Sequence, residues 1–193
     1  MRPLAPAWPL ILMAACTPAT PSRPEELPVR SESESELLTC FTEISRTIGD
    51  LTAPSALHRY PCYRTYLAAP GQPVAELAAI LKDTRQSDHI REIAAYAAHK
   101  LGPSGLALLG RQLLPLLHSG EIPGPLLEKA IIPGNQWSTV AAEHHDDPAL
   151  QSVLDELAKA PNFPADAADY IRTDILTGSA KLHVEELRAH GQL

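Results

Sequence analysis

From Leu37 onward the apolar positions of this chain recur with a helical period. Leu37, Phe41, Ile44 and Ile48 fall on one face, Gly49 offers a stop, and the spacing predicts a first helix over 37–48. Residues 50–72 keep no such period. Pro54, Pro61, Pro70 and Pro73 bracket a short segment with Tyr60, Cys62, Tyr63 and Tyr66, and Pro61 argues against one continuous helix there. The period returns with Val74, Leu77, Ala78 and Leu81, predicting a helix over 74–84. Next, Ser87 is placed to cap a helix whose Ile90, Ile93, Ala94, Ala97 and Leu101 form an apolar stripe ended by Gly102-Pro103. Leu106, Leu109, Leu113, Leu116 and Leu117 predict a strongly apolar helix, kinked or interrupted around Pro115. Further helices are expected over 125–132, 137–145, 148–159, 165–177 and 180–189, punctuated by Gly120, Pro123-Gly124, Pro133-Gly134, Pro161, Pro164 and Gly178.

Composition narrows the fold class. Aromatic residues make up 5% of the chain while Ala and Leu abound, which suits helices packed closely through small side chains better than a sheet sandwich. The expectation is an all-α domain over 37–193, a compact irregular bundle. Residues 17–36 carry Pro18, Pro21, Pro24 and Pro28, then Ser and Glu in alternation from Ser31 to Glu36, with hardly an apolar side chain to bury. They read as a disordered tether, reaching on the order of 60 Å if extended at about 3.1 Å per residue. Acidic residues also suit a helix N-terminus, so the far end of the run can serve as a first turn.

Ahead of the tether, Arg2 is the only charge of residues 1–15. Trp8, Leu10, Ile11, Leu12 and Met13 make a short apolar stretch, and Ala14 and Ala15 stand directly before Cys16. The stretch is far short of the about 20 apolar residues that cross a bilayer. The segment resembles the signal peptide and lipobox of bacterial lipoproteins. The resemblance implies cleavage before Cys16, acylation of Cys16, and a lipid-anchored mature chain of 178 residues. Two acyl chains would suffice for stable anchoring. Thr17 stands where an inner-membrane retention signal of that family would place Asp, so the resemblance implies the outer membrane, facing the periplasm. The alternatives are a signal cleaved to release a soluble protein and a cytoplasmic N-terminus that imitates one.

With Cys16 assigned to lipid, Cys40 and Cys62 are left, and an even pair in an oxidising compartment is most simply a disulfide stapling the first helix to the next segment. Neither belongs to a Cys-x-x-Cys redox spacing. Removal of Arg2 takes the net charge from −7 to −8, with 15 basic against 23 acidic residues. That balance argues against a nucleic-acid footprint and against electrostatic adhesion to anionic lipid.

The stretch from Asp88 to Gly102 contains Ile90-Arg91, Ala94-Ala95, Ala97-Ala98 and Leu101-Gly102. It resembles a HEAT-type helical repeat, in which an acidic residue opens the helix, an aliphatic-Arg pair follows and an Ala-rich run leads to Leu-Gly. The resemblance implies that residues 106–117 form the second helix of the same hairpin. Residues 147–157 could be a degenerate second copy, without the Arg and the Ala pair. About three repeats make a stable array, so a bundle with one repeat-like hairpin is expected rather than a long solenoid.

Glu143-His144-His145-Asp146-Asp147 is the only cluster that invites a catalytic reading, since imidazole and carboxylate bind zinc and harder divalent ions. Consecutive helical residues point about 100° apart, however, so His144 and His145 do not both face one metal, and no His-x-x-x-His spacing exists. His145-Asp146 resembles the core pair of HD-type phosphohydrolases, but His118, His183 and Asp174 do not supply that family's further ligands. The plainer reading makes Asp146 or Asp147 the cap of the helix beginning near Pro148. Ser55 with His58, or Ser87 with His89, lack a nucleophile elbow, and no Gly-rich phosphate loop or cofactor motif is present. His89, His99, His118, His183 and His190 read as residues of helix surfaces and ends.

The expectation is therefore a membrane-anchored envelope protein, not an enzyme, that acts by binding an envelope protein as an accessory or scaffold. His89, Glu92 and Tyr96 are the candidate exposed contacts. The alternatives are a periplasmic immunity protein that neutralises a toxin, a metal-dependent hydrolase using the cluster from His144 to Asp147, and a purely structural envelope protein.

Overall fold

Ser35 starts the first helix. Its hydroxyl accepts the Leu38 N–H at 3.1 Å, so α1 (Glu36–Thr47) takes the last Glu of the Ser-Glu run into its first turn, where a carboxylate suits the helix dipole. The computed structural model describes residues 35–49, 54–68, 73–132 and 140–191. The signal-like segment, Cys16 and the tether up to residue 34 lie outside the described residues.

After α1 come a 3₁₀ turn (Pro54–Arg59), α2 (Pro61–Ala68), α3 (Val74–Lys82) and α4 (Asp88–Ala97). A 3₁₀ turn (Ala98–Leu101) leads into α5 (Gly102–Ser119), followed by α6 (Gly124–Ile131), α7 (Val140–Glu143) and α8 (Pro148–Lys159). The chain closes with α9 (Ala165–Tyr170), which runs directly into a π turn (Ile171–Ile175), and α10 (Ser179–Ala189). No strand occurs among the described residues, and the all-α expectation holds.

Small side chains decide the centre. α4 buries Ile90, Arg91, Ile93, Ala94, Ala95, Tyr96 and Ala97, nearly its whole circumference, because alanines admit neighbours on several sides. α1, α3 and α6 all pack on it. Arg91 is 5% exposed and ties α4 to the end of α3, its Nε donating to the Leu81 carbonyl at 3.0 Å. Nη1 donates to Asp88 Oδ1 at 3.4 Å.

The expected hairpin of α4 with α5 is corrected. α4 pairs with α3 and α5 pairs with α6; the second pair lies beside the first, with α5 against α3 and α6 against α4. Gly102, at φ 63°, redirects the chain between α4 and α5, a left-handed conformation costly for any residue with a Cβ. α8 then extends the row of α3 and α5. Gly110 of α5 makes that approach possible, since a Cβ there would collide with the Val153 side chain of α8.

α5 also runs unbroken through Pro115, where an interruption was one expectation. Buried Leu113, Leu114 and Leu117 hold both sides of the proline while its ring lies on the exposed face, so packing outweighs the lost backbone bond. The helix ends at Gly120 in the left-handed conformation, with its N–H on the Leu117 carbonyl and Glu121 N–H on the Leu116 carbonyl.

Cys40 of α1 and Cys62 of α2 form a disulfide with Cα atoms 5.7 Å apart. Phe41 and Tyr66 meet edge to face beside it at 6.3 Å, and Tyr63 stacks obliquely on Tyr66. The tyrosines are thus packing residues: Tyr63 and Tyr66 are buried, and burial pushes the Tyr63 hydroxyl up to about 12. Tyr66 remains satisfied by donating to the Ala97 carbonyl at 3.0 Å.

Candidate functional site

The residues expected to meet a partner on α4 do not form an exposed face. Tyr96 is 8% exposed and belongs to the core, which corrects the expectation that it is a surface contact. Burial and then Glu128 of α6 push its hydroxyl up, so α6 is a neighbour of residue 96, one that periodicity alone does not reveal. Glu92 is half-buried and paired with Lys129 of α6, while His89 Nδ1 lies 3.8 Å from the other Glu92 oxygen. These groups lock the α4–α6 seam.

His99 completes that seam and is not a plain surface histidine. Its Nε2–H donates to the Lys129 carbonyl at 3.3 Å. Burial holds the imidazole below its ordinary value, and the carbonyl contact offsets this only in part. The unfolded chain then binds the proton more readily than the folded one. Stability from neutral His99 is fully present above about pH 6.5 and is lost as pH falls from there through the folded value. Urea unfolding at stepped pH between 7.5 and 5 should show a steeper loss for the wild type than for His99→Gln, which keeps an amide donor and does not titrate. Parallel curves would refute the assignment.

The side chains of the candidate metal cluster diverge on folding. Asp147 caps α8, its Oδ1 accepting Ala149 N–H at 3.0 Å and Leu150 N–H at 2.9 Å, as the plainer reading required. His144 and Asp146 are exposed, and Glu143 accepts from Arg188 of α10 at 2.6 Å. His145 turns instead towards Gly178, whose added Cβ would come within 2.9 Å of its Nε2, and its Nδ1 is buried without a hydrogen-bond partner. Among the described residues no three His, Cys, Asp or Glu side chains are grouped to hold a metal ion. Ser87 is likewise engaged as the cap of α4, its hydroxyl accepting Ile90 N–H at 3.3 Å. The His58 ring lies against Tyr63.

Another feature stands out when charge is placed on the fold. Residues 35–139 hold nine acidic and nine basic residues, whereas residues 140–191 hold ten acidic and four basic. The net charge of −7 is thus concentrated in the part that contains α7 to α10. Three of its four cations are already engaged: Lys159 with Asp155 at 2.5 Å, Arg188 with Glu143, and Arg172 with Asp169. Arg172 also donates to the Ala158 carbonyl at 2.6 Å, which fastens the π turn to the end of α8. The excess reaches α6, where the Glu128 carboxyl is pushed up by burial and then by Asp166 of α9.

Within this acidic part α8 and Leu176, the residue that follows the π turn, border an open surface pocket of about 350 Å³, lined by Pro148, Gln151, Ser152, Asp155 and Leu176. The π turn sets its far wall, because the Leu176 N–H donates to the Ile171 carbonyl at 2.9 Å, one residue longer than an α-helical bond. Pro148 and Leu176 provide apolar surface, and Gln151, Ser152 and Asp155 provide donors and acceptors. The sequence does not reveal this site. The charge partition was countable, but nothing in the periodicity places Leu176 beside α8.

No protein-family model matches the chain, and neither curated proteins nor solved structures show significant similarity to it.

Proposed function

We propose that this chain is a lipid-anchored envelope protein that acts by binding another protein, as an accessory or scaffold of an envelope process. The observation that carries the anchor is the apolar run ending in Ala14-Ala15-Cys16. The Cys40–Cys62 disulfide supports export, because such bonds persist in oxidising compartments. Contact as the mode of action is supported by a helical domain whose excess charge and open pocket lie together in residues 140–191. The same acidic part favours a second reading, a periplasmic immunity protein that captures a cationic toxin. The hydrolase reading has no converging donor set behind it, since Asp147 is held as a cap and His145 points to Gly178.

The test is expression in a Gram-negative host with acyl labelling and in-cell crosslinking, wild type against Cys16→Ala. Acylation of the wild type alone, together with a discrete partner lost in the variant, is the expected result. A chain that takes up no acyl label would overturn the anchor, and an acylated chain that captures nothing would overturn action by contact.

A further inference from the structure

We propose that the pocket between α8 and the π turn is the docking site for a basic segment of the partner protein, one that presents an apolar side chain together with Lys or Arg. The inference rests on the reading of this chain as a protein-binding protein and names the surface and the chemistry of what it binds.

Three observations converge on it. The volume, about 350 Å³, suits one or two side chains rather than a whole helix. The lining divides into apolar contact from Pro148 and Leu176, amide and hydroxyl groups from Gln151 and Ser152 that can bond an extended backbone, and the carboxylate of Asp155. The pocket lies within residues 140–191, which hold ten acidic and four basic residues, and Asp155 stands in its lining. A field of that sign repels nucleic acid and anionic lipid and draws in a cationic polypeptide.

Lys159 does not block the site. Its pair with Asp155 is solvent-exposed, with side chains 69% and 49% accessible, and exposed pairs contribute about 0–1 kcal/mol. An incoming guanidinium can displace it and engage the carboxylate with two parallel hydrogen bonds, which an ammonium does not make. The π turn adds a reason to look here, since such turns recur at functional sites in helices. It is fixed by Arg172 on the Ala158 carbonyl, so the wall carrying Leu176 is formed before any partner arrives.

The experiment places the photo-crosslinking residue p-benzoylphenylalanine at position 151 of the full anchored chain, with position 108 on α5, an exposed leucine outside the pocket, for comparison. The expected result is an adduct from position 151 whose crosslinked peptide is rich in Lys or Arg, reduced about tenfold by Asp155→Lys. Asp155→Asn, which removes the charge and keeps the size, should reduce it less. Asp155 is half-exposed and its ion pair with Lys159 is a solvent-exposed one, so both variants should unfold within a few degrees of the wild-type midpoint, which is measured alongside. An adduct with a second copy of this chain, an adduct through an acidic or uncharged segment, or one undiminished by Asp155→Lys would overturn the proposal. So would no adduct at position 151; an anchor-dependent partner captured from position 108 would then leave the protein-binding reading standing, and capture from neither would remove both.

Discussion

Gly124→Ala should lower the stability of the helical domain by about 3 kcal/mol, at the upper end of what overpacking a tight site costs. Gly124 opens α6 just after Pro123 and faces the turn that follows α8. A Cβ there would overlap the Asn162 carbonyl oxygen and stand 3.1 Å from both the Asn162 carbonyl carbon and Phe163 Cα. All three obstacles are backbone atoms, so no rotamer change relieves the overlap. The segment cannot simply withdraw either, because Asn162 Nδ2 donates to the Leu117 carbonyl at 3.0 Å and Phe163 is buried. For a domain of this size the thermal midpoint should fall by about 6–12 °C. Gly110→Ala provides the contrast. Its obstacle is the Val153 side chain, so Val153→Ala in the same chain should recover part of the loss, whereas no single side-chain truncation should rescue Gly124→Ala. A Gly124→Ala midpoint within 2 °C of the wild type, taken as about 1 kcal/mol or less, would show that the α6 approach is looser than described.

Loss of the Cys40–Cys62 bond is the second large effect. The sequence separation is 22 residues, for which the chain-entropy model gives about 3 kcal/mol through the unfolded state. Urea unfolding with and without a thiol reductant should show a shift of that size in the wild type and none in the double variant Cys40→Ala/Cys62→Ala. The two single serine variants should differ. Cys40 is 6% exposed beside Phe41 and Ile44, so a serine there buries a hydroxyl in an apolar layer, while Cys62 is half-buried and tolerates one better. Cys40→Ser should therefore be the less stable of the pair. A wild type indifferent to reductant would mean that packing of Phe41 and Tyr66 alone holds α1 to α2.

The contact of Gly124 with Asn162 joins elements distant in sequence, and such meetings, the paired cysteines apart, are hardest to read from a sequence. Helix by helix, the period of apolar residues was sufficient. Ser87 and Asp147 act as caps, Gly120 ends α5, and the expected helix over 148–159 coincides with α8. Such signals are local: a cap bonds a backbone group two or three residues away, and a helical stripe repeats every turn. Pairing is not local. The alanines of α4 looked like the close face of a hairpin with α5, yet they serve α1, α3 and α6, because an alanine surface accepts any neighbour of matching shape. Tyr96 and Glu92 were mistaken for surface on the same ground.

By itself, the sequence determined the all-α class, most helix boundaries, the partners in the disulfide and the cap before α8, each through a short-range pattern or, for the cysteines, through simple arithmetic. The tertiary structure alone decided that α3 pairs with α4 and α5 with α6, and that Pro115 is carried within one helix. It also decided that His145 rests on Gly178 instead of beside a metal, and that a π turn brings Leu176 to α8 next to Asp155. The physical reason is common to these cases. Close packing is settled by volumes and backbone approach between segments tens of residues apart, and a one-dimensional pattern records which residues are apolar but not which apolar surface they will meet.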